Sequence, residues 1–293
     1  MLKKAKRGSL QKAADFRMDG GGTGTYWQWR RLHLNPLDAE ASFLKISPTE
    51  NHPMKRFFDR INEKALDPRQ APVLMIALGD SLSQGVMEHR VLDSSAVFHR
   101  HVQTMLEDFY PCTTFSTINA GVSGDNVRGG GERLERDVLC HQPDLVVIGY
   151  GSNDSLKGCE GIPEFDSGLR EIIRRIRERT KADLLLLTPP LMATTTSARI
   201  HPEHQICVEE IIGAQTNGSL SVFAERIREI SRDEKVPLAD VNREWIRLRE
   251  AGFDTDVWMV NGLNHPNPTG HRLAALTIFH TLLCQRPMTK FCQ

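Results

Sequence analysis

Short apolar segments alternate with segments of helical periodicity from residue 72 onward. The apolar segments are rich in Val, Ile and Leu and occupy residues 72–78, 114–120, 144–150, 182–190 and 236–241. Segments with apolar residues three and four positions apart lie at 95–109, 126–140, 164–180, 219–234 and 267–285. Continuous apolar strands separated by amphipathic helices are typical of a parallel sheet covered on both faces. The pattern therefore predicts a three-layer α/β/α sandwich with a flavodoxin-like, doubly wound parallel sheet.

The N-terminal part of the chain does not follow this alternation. Residues 1–25 are polar and end in the glycine-rich stretch "DGGGTGT", which predicts a flexible segment. Residues 26–70 contain two tryptophans and a helical candidate at 52–66 with adjacent phenylalanines. We expect this extension to pack on the main domain, because its aromatic side chains need burial. The main domain is predicted to cover residues 71–293.

The composition excludes several classes of protein. The 293 residues include 37 Lys and Arg and 37 Asp and Glu, so the chain lacks the basic excess of a nucleic-acid-binding protein. Six scattered cysteines form no C-x-x-C pair and no zinc spacing with histidine, which predicts reduced thiols and no metal site. Neither a signal peptide nor an apolar run of membrane length is evident. We therefore expect a reduced, soluble, cytoplasmic protein without membrane insertion, and no cofactor is expected.

Polar and glycine-rich motifs lie where strands are predicted to end. Ser81 follows the first strand in "GDSLSQG", Gly124 follows the second in "NAGVSGDN", and Asn153 follows the third in "GYGSNDS". His265, in "NHPNPTGH", precedes the last helix. Because the carboxyl ends of parallel strands share one edge of the sheet, we expect these groups to converge. A hydroxyl, backbone amides freed by glycine, a carboxamide and an imidazole are the parts that acyl transfer needs.

Each motif taken alone has a structural explanation. A Gly-Asp-Ser turn is common, the Asn153–Asp154 pair suits a turn or a helix cap, and a histidine before a proline can be structural. Neither Ser81 nor Ser83 lies in a G-x-S-x-G elbow, so the sequence does not favour the α/β-hydrolase motif. The chain also lacks the G-x-G-x-x-G fingerprint and the P-loop lysine of nucleotide-binding proteins. Only the joint occurrence of the motifs favours catalysis.

The four motifs together resemble those of the SGNH, or GDSL-type, hydrolase family, which is named for a Ser, a Gly, an Asn and a His in four blocks. The resemblance covers residues 72–285. It implies that Ser81 is the nucleophile and that His265 is the general base. It also implies an oxyanion hole made by the backbone N–H groups of Ser81 and Gly124 and the side-chain amide of Asn153. The expected reaction is hydrolysis of carboxylic esters. The substrates of the family include acetylated sugars, lysophospholipids, short acyl esters and thioesters.

One position departs from the family pattern. The family usually places an aspartate three or four residues before the histidine, whereas this chain has Gly262 and Asn261 there. We expect Asn261 to be the third catalytic residue and to orient the imidazole through its amide oxygen. Asp254, Asp256 or a backbone carbonyl remain alternatives. Because of this departure, the chain could also be a non-catalytic relative of the family that binds a ligand without cleaving it.

Further residues are expected to support the site or shape it. Asp80 should hold the serine turn by a local hydrogen bond, and Asp154 is a second supporting residue. Residues 191–218 are polar and weakly patterned, and they either shape the pocket or form an irregular surface excursion. Trp258 either walls the site or, as we expect, packs in the core. The favoured substrate is a small soluble ester, with acetylated carbohydrates as one candidate class.

Overall fold

The computed structural model describes residues 52–286 of the chain. This range contains a five-stranded parallel sheet made of β1 (Val73–Gly79), β2 (Phe115–Gly121), β3 (Leu145–Gly149), β4 (Asp183–Leu187) and β5 (Leu238–Ala239). The strand order is β2-β1-β3-β4-β5. The chain therefore changes direction across the sheet after β2, and the ends of β1 and its neighbours form the crevice where ligands bind in such sheets.

The helices cover both faces of this sheet. They are α1 (Lys55–Leu66), α2 (Ser81–Gln84), α3 (Phe98–Phe109), α4 (Val127–Glu132), α5 (Leu134–Asp137), α6 (Ile162–Arg179), α7 (Val208–Thr216), α8 (Ser219–Glu234), α9 (Val241–Glu250) and α10 (Pro268–Cys284). Short 3-10 turns occupy Leu139–His141, Asp154–Lys157, Cys159–Gly161, Pro202–Cys207 and Thr255–Trp258. No helix within residues 52–286 is long and apolar enough to cross a membrane.

Alternate residues of the central strands enter two different cores. Met75 and Ala77 of β1 pack in a cluster with apolar side chains of α1, α3, α9 and α10. Ile76 and Leu78 pack on the opposite face with side chains of α4, α6 and α8. This alternation follows from the period of two along a strand. It produces the three-layer α/β/α sandwich with a parallel sheet that the sequence predicted.

The helix prediction differs from the structure at three places. The expected helix at 126–140 is interrupted, since three consecutive glycines in α4 weaken its helical preference and a new helix starts at Leu134. Helix α9 was not predicted; it follows β5 directly and begins after Asp240, whose carboxylate caps it by accepting the Arg243 N–H. Helix α7 lies inside the segment 191–218, for which no helix was predicted.

The N-terminal prediction is covered only in part. Residues 1–25, together with Trp27 and Trp29, lie outside the described residues. In the described part of the extension, Phe57 and Phe58 of α1 are buried in the same core as β1 and α3. The Phe57 backbone N–H also donates to the Asp183 carboxylate at 2.7 Å. Helix α1 is thus part of the outer layer of the sandwich, and the boundaries at residues 25 and 70 stay predictions.

Candidate active site

The serine turn begins where β1 ends. Ser81 is the first residue of α2, and the Asp80 carboxylate caps this helix by accepting the Leu82 N–H at 2.9 Å. A side chain at Gly79 has no space, because a Cβ there would lie 2.6 Å from the carbonyl oxygen of Gly149. The glycine therefore allows the two strand ends to approach closely, and the turn presents Ser81 at the edge of the sheet.

Ser81 and His265 form a hydrogen-bonded pair. The Oγ atom of Ser81 lies 3.0 Å from Nε2 of His265, and Nδ1 of the same ring lies 2.9 Å from the backbone carbonyl oxygen of Met87. A carbonyl oxygen can only accept, so Nδ1 carries the proton and the lone pair of Nε2 faces the serine hydroxyl. Both side chains are buried. The arrangement can move a proton from Ser81 to the imidazole.

Burial also sets the charge of His265. The pKa of His265 is lowered to about 4. Removal from water is the largest cause; the hydrogen bond to the Met87 carbonyl raises the pKa, and the nearby His204 lowers it. The desolvation effect is the largest, because burial removes the water that would solvate the imidazolium. His265 is therefore neutral at neutral pH, which is the state a general base requires.

The structure places Asn261 differently from the expectation. Its side-chain oxygen accepts hydrogen bonds at 2.9–3.0 Å from three backbone N–H groups, those of Leu263, Asn264 and His265. Its amide nitrogen donates to the Asn264 side chain at 3.1 Å. Asn261 thus holds the backbone of the histidine loop, while the ring itself is oriented by the carbonyl of Met87. The expected contact between Asn261 and the imidazole is absent from the described residues, because all of the side chain's hydrogen bonds lie within its own loop.

The two aspartates that were alternatives also have other partners. The Asp256 carboxylate accepts the backbone N–H and the hydroxyl of Thr194, both at 2.8 Å, and pairs with Arg249 at 3.2 Å. Asp254 accepts the Asp256 N–H at 3.0 Å and caps the 3-10 turn. Of the alternatives, the backbone carbonyl is therefore the group that contacts the histidine.

The predicted oxyanion donors lie on neighbouring loops. Gly124 has a φ of +75°, which favours glycine, and a Cβ there would meet no atom within 4 Å. Asn153 donates from Nδ2 to the carbonyl oxygen of Asp125 at 2.7 Å, so its side chain is fixed to the loop that carries Gly124. Asn153 makes no side-chain capping bond to the following turn, which argues against the cap interpretation. Ser81 begins a helix, so its N–H has no acceptor within that helix.

The Asp154 carboxylate connects the loop after β2 with the loop after β3. Its two carboxylate oxygens accept the N–H groups of Val127 at 3.1 Å and Gly151 at 2.9 Å, and the side chain is buried. Desolvation raises the pKa of Asp154, and it raises that of Asp80 to about 7. Both carboxylates are thus bound to backbone amides in a poorly hydrated region under the site.

Arg133 was missed by the sequence analysis. Its guanidinium donates to the carbonyl oxygen of Gly79, the last residue of β1, at 2.8 Å and to that of Ala120, the residue before the end of β2, at 2.7 Å. It also binds the Asp125 carboxylate at 2.7 Å and the Tyr150 hydroxyl at 2.8 Å. Arg133 therefore links the serine turn to the loop of the oxyanion donors. No signal distinguishes it in the sequence, because it stands among other arginines on a helical segment.

The segment 191–218 shapes a cavity beside the Ser81–His265 pair. It contains α7 and a small core of its own, so it is not an irregular excursion. The cavity measures about 610 Å³ and is lined by residues of this segment, by Glu88 and His89, and by Val257, Val260, Asn261 and Asn267. Ser81 and His265 do not line it. Trp258 takes no part in the cavity wall and packs edge-on against Trp245 at 5.4 Å.

Comparison with known proteins gives consistent results. Residues 77–273 match the GDSL-like Lipase/Acylhydrolase family. The Thioesterase 1/protease 1/lysophospholipase L1 of Escherichia coli strain K12 is 31% identical over 193 residues, which are 66% of this chain and 75% of that protein. An acetylxylan esterase of Geobacillus stearothermophilus is 29% identical over 98 residues, 30% of this chain and 44% of that protein.

Solved structures share the fold. The acetylxylan esterase Axe2 from Geobacillus stearothermophilus has a TM-score of 0.53 at 18% identity, over 74% of this chain and 94% of that one. An alpha/beta hydrolase enzyme from the metagenome of Lake Arreo, Spain, has a TM-score of 0.57 at 20% identity, over 73% of this chain and 97% of that one. At this identity the likeness establishes the architecture only.

Proposed function

Because this chain belongs to the GDSL-like lipase/acylhydrolase family, whose members are carboxylic ester hydrolases, we propose that it is a serine esterase that forms an acyl-enzyme on Ser81. The observation that carries this proposal is the 3.0 Å hydrogen bond between Ser81 Oγ and His265 Nε2. A nucleophile and a base within hydrogen-bond reach, with the base oriented by a third group, are the parts of an acyl-transfer site.

In the first half of the proposed reaction, Ser81 Oγ attacks the ester carbonyl carbon while its proton passes to Nε2 of His265. The negative charge on the carbonyl oxygen is stabilised by the N–H groups of Ser81 and Gly124 and by the Asn153 amide. The tetrahedral intermediate then loses the alcohol, which takes the proton from the imidazolium. In the second half, water attacks the acyl-enzyme with His265 as base, and the carboxylic acid is released.

The neutral partner of His265 affects the rate more than the reaction class. The Met87 carbonyl fixes the tautomer and the orientation of the ring, but it supplies no negative charge to the imidazolium of the transition state. Loss of the carboxylate in a Ser-His-Asp site costs about four powers of ten, mainly because the wrong tautomer is then present. Since Met87 holds the productive tautomer here, we expect a smaller loss.

The proposed substrates are small soluble esters, and acetylated carbohydrates are one candidate class. The 29% identical acetylxylan esterase of Geobacillus stearothermophilus supports this class. A thioester or lysophospholipid substrate is the second candidate, supported by the 31% identical enzyme of Escherichia coli. A cytoplasmic location is also proposed, because the five cysteines within the described residues are free thiols.

Hydrolysis kinetics on a substrate panel test the proposal. The wild-type protein should hydrolyse p-nitrophenyl acetate, and comparison with p-nitrophenyl decanoate, acetylated xylo-oligosaccharides and an acyl-coenzyme A separates the substrate classes. Ser81→Ala should abolish turnover, whereas Ser83→Ala changes a buried serine of the same turn and should remain active. A folded wild-type protein with no activity on any of these esters would instead support a binding role.

A further inference from the structure

Three histidines and a glutamate meet beside the active site without a role in the proposed reaction. His89 comes from the turn that follows α2, and His201, Glu203 and His204 come from the segment after β4. His89 and His204 are 115 positions apart in the chain, which is why the sequence did not predict a metal site here. We call these four residues the histidine cluster.

The cluster offers three metal-ligating atoms close together. One donor atom each from His89, His201 and Glu203 lie within 4.8 Å of one another. The His89 Nε2 to Glu203 Oε2 distance is 3.4 Å. In a tetrahedral site with metal–ligand bonds of about 2.0–2.1 Å, adjacent ligand atoms lie about 3.3 Å apart. This distance therefore fits one edge of the tetrahedron. The His201 ring stacks on the His89 ring with centroids 3.9 Å apart and an interplanar angle of 3°, so it has to turn out of this stack before its Nε2 lone pair can face the same ion.

We propose that the histidine cluster binds one divalent zinc-type ion through His89, His201 and Glu203. Two imidazoles and a carboxylate are ligands that Zn²⁺ accepts, and three protein ligands leave its fourth position open. His89 and His201 both line the 610 Å³ cavity, so this position opens to the cavity. A water molecule or a substrate oxygen can occupy it.

His204 orients the first ligand. Nδ1 of His89 lies 3.1 Å from Nε2 of His204. When His89 Nε2 binds the metal, its Nδ1 carries the proton and donates it to His204, the arrangement in which metal-bound histidines are usually held. His204 is thus a positioning residue rather than a ligand.

Besides the ring stack, two polar contacts change when the ion binds. Nδ1 of His201 accepts the Glu203 N–H at 3.2 Å, and this long hydrogen bond is given up when Nε2 of the ring coordinates. Arg90 pairs with Oε2 of Glu203 at 3.1 Å from an exposed position. This is the oxygen that faces His89 Nε2, so Arg90 has to shift its ion pair to the second carboxylate oxygen when the metal takes Oε2.

The ion joins two segments on either side of the cavity. The turn that carries His89 is closed by hydrogen bonds from the Met87 N–H to the Val91 carbonyl at 2.9 Å and from the Val91 N–H to the Glu88 carbonyl at 3.2 Å. The same turn provides the Met87 carbonyl that orients His265. A metal between His89 and the 201–203 segment therefore restrains the turn on which the catalytic ring depends.

Zinc titration of the full chain tests the proposal. The protein is first treated with a chelator, and the chelator is then removed. Isothermal calorimetry should show one Zn²⁺ bound per chain, and zinc should raise the thermal midpoint. His89→Ala, His201→Ala and Glu203→Gln should each weaken binding by about tenfold or more. His141→Ala removes an exposed histidine elsewhere and should bind zinc like the wild type. His204→Phe should weaken binding, and His204→Gln, which keeps an acceptor, should restore most of it.

Two results would overturn the site. One is a wild-type protein that binds no zinc at micromolar concentrations. The other is a folded His89→Ala/His201→Ala double variant that still binds one zinc with the wild-type affinity. The titration is repeated in Ser81→Ala, which lacks the nucleophile, and zinc should bind there unchanged. Metal binding is thus measured independently of ester hydrolysis, so failure of the metal site and failure of the esterase proposal are distinguishable.

Discussion

Removal of the Asn261 side chain tests how the histidine loop is held. In Asn261→Ala, three backbone N–H groups lose the oxygen they share, at 2.9–3.0 Å in each case. A buried donor left without a partner costs about 1–3 kcal/mol. Water can accept from some of the three N–H groups once the shared oxygen is gone, so the three costs do not add in full. We therefore expect the free energy of unfolding to fall by about 3 kcal/mol. For a domain of this size that lowers the thermal midpoint by roughly 6–12 °C.

The same change should slow catalysis without altering the ring's own partner. One of the lost hydrogen bonds holds the backbone N–H of His265, so the imidazole becomes less well placed and kcat should fall by about 10- to 100-fold. The Met87 carbonyl remains, and the acidic limb of the activity–pH profile should therefore keep its midpoint. Asn261→Asp keeps the acceptor and loses only the donor to Asn264, so its stability loss should be about 1 kcal/mol.

Thermal denaturation and pH-dependent kinetics of both variants decide between the two roles of Asn261. Asp254→Asn is the matched control at the exposed aspartate that was an earlier alternative, and it should leave kcat unchanged. An Asn261→Ala protein with the wild-type thermal midpoint would refute the loop-holding role. An Asn261→Asp protein whose acidic limb moves upward by a full pH unit would show that a carboxylate at this position faces the imidazole.

Three further predictions concern the base, the oxyanion donor and the guanidinium under the site. Because His265 must be neutral to act, kcat/KM should rise with pH around a midpoint of about 4 and be level by about pH 6; a midpoint at 6.5 would contradict the burial argument. Asn153→Ala should lower kcat by about two to three powers of ten with a stability loss of about 1 kcal/mol, and parallel large losses of both would indicate a structural role. Arg133→Met should cost about 3 kcal/mol, since it strands the Asp125 carboxylate, whereas Arg136→Met, at an exposed arginine, should stay within about 0.5 kcal/mol of wild type by chemical denaturation.

The sequence predicted the sheet and the two residues of the hydrogen-bonded pair for a common reason. Buried parallel strands are continuous apolar runs, and polar residues directly after them stand out at the edge where sites form. Ser81 could be read in this way from its strand end. His265 precedes a helix whose start is marked by Asn267 and Pro268. The order of these motifs then made the family resemblance specific.

Other parts of the site could not be predicted because they have no residue signature. The group that orients His265 is the backbone carbonyl of Met87, and every residue has such a carbonyl. Asn261 was predicted from its spacing to His265, but spacing does not show where an amide points. Helix α9 was missed because the predicted strand at 236–241 included Asp240 and Val241, which cap and begin the helix, whereas β5 ends at Ala239. Arg133 acts through contacts with strand ends that are distant in the sequence.

Identification of the residue that a fluorophosphonate phosphonylates tests the esterase proposal most directly. The purified protein is treated with a fluorophosphonate probe, and the modified peptide is located by mass spectrometry. We predict one adduct per chain on Ser81, normal labelling of Ser83→Ala, and none in Ser81→Ala. Labelling of His265→Ala should be strongly slowed, because Ser81 then has no base at 3.0 Å. A folded Ser81→Ala protein that is labelled as fast as the wild type would contradict the assignment of Ser81 as the nucleophile.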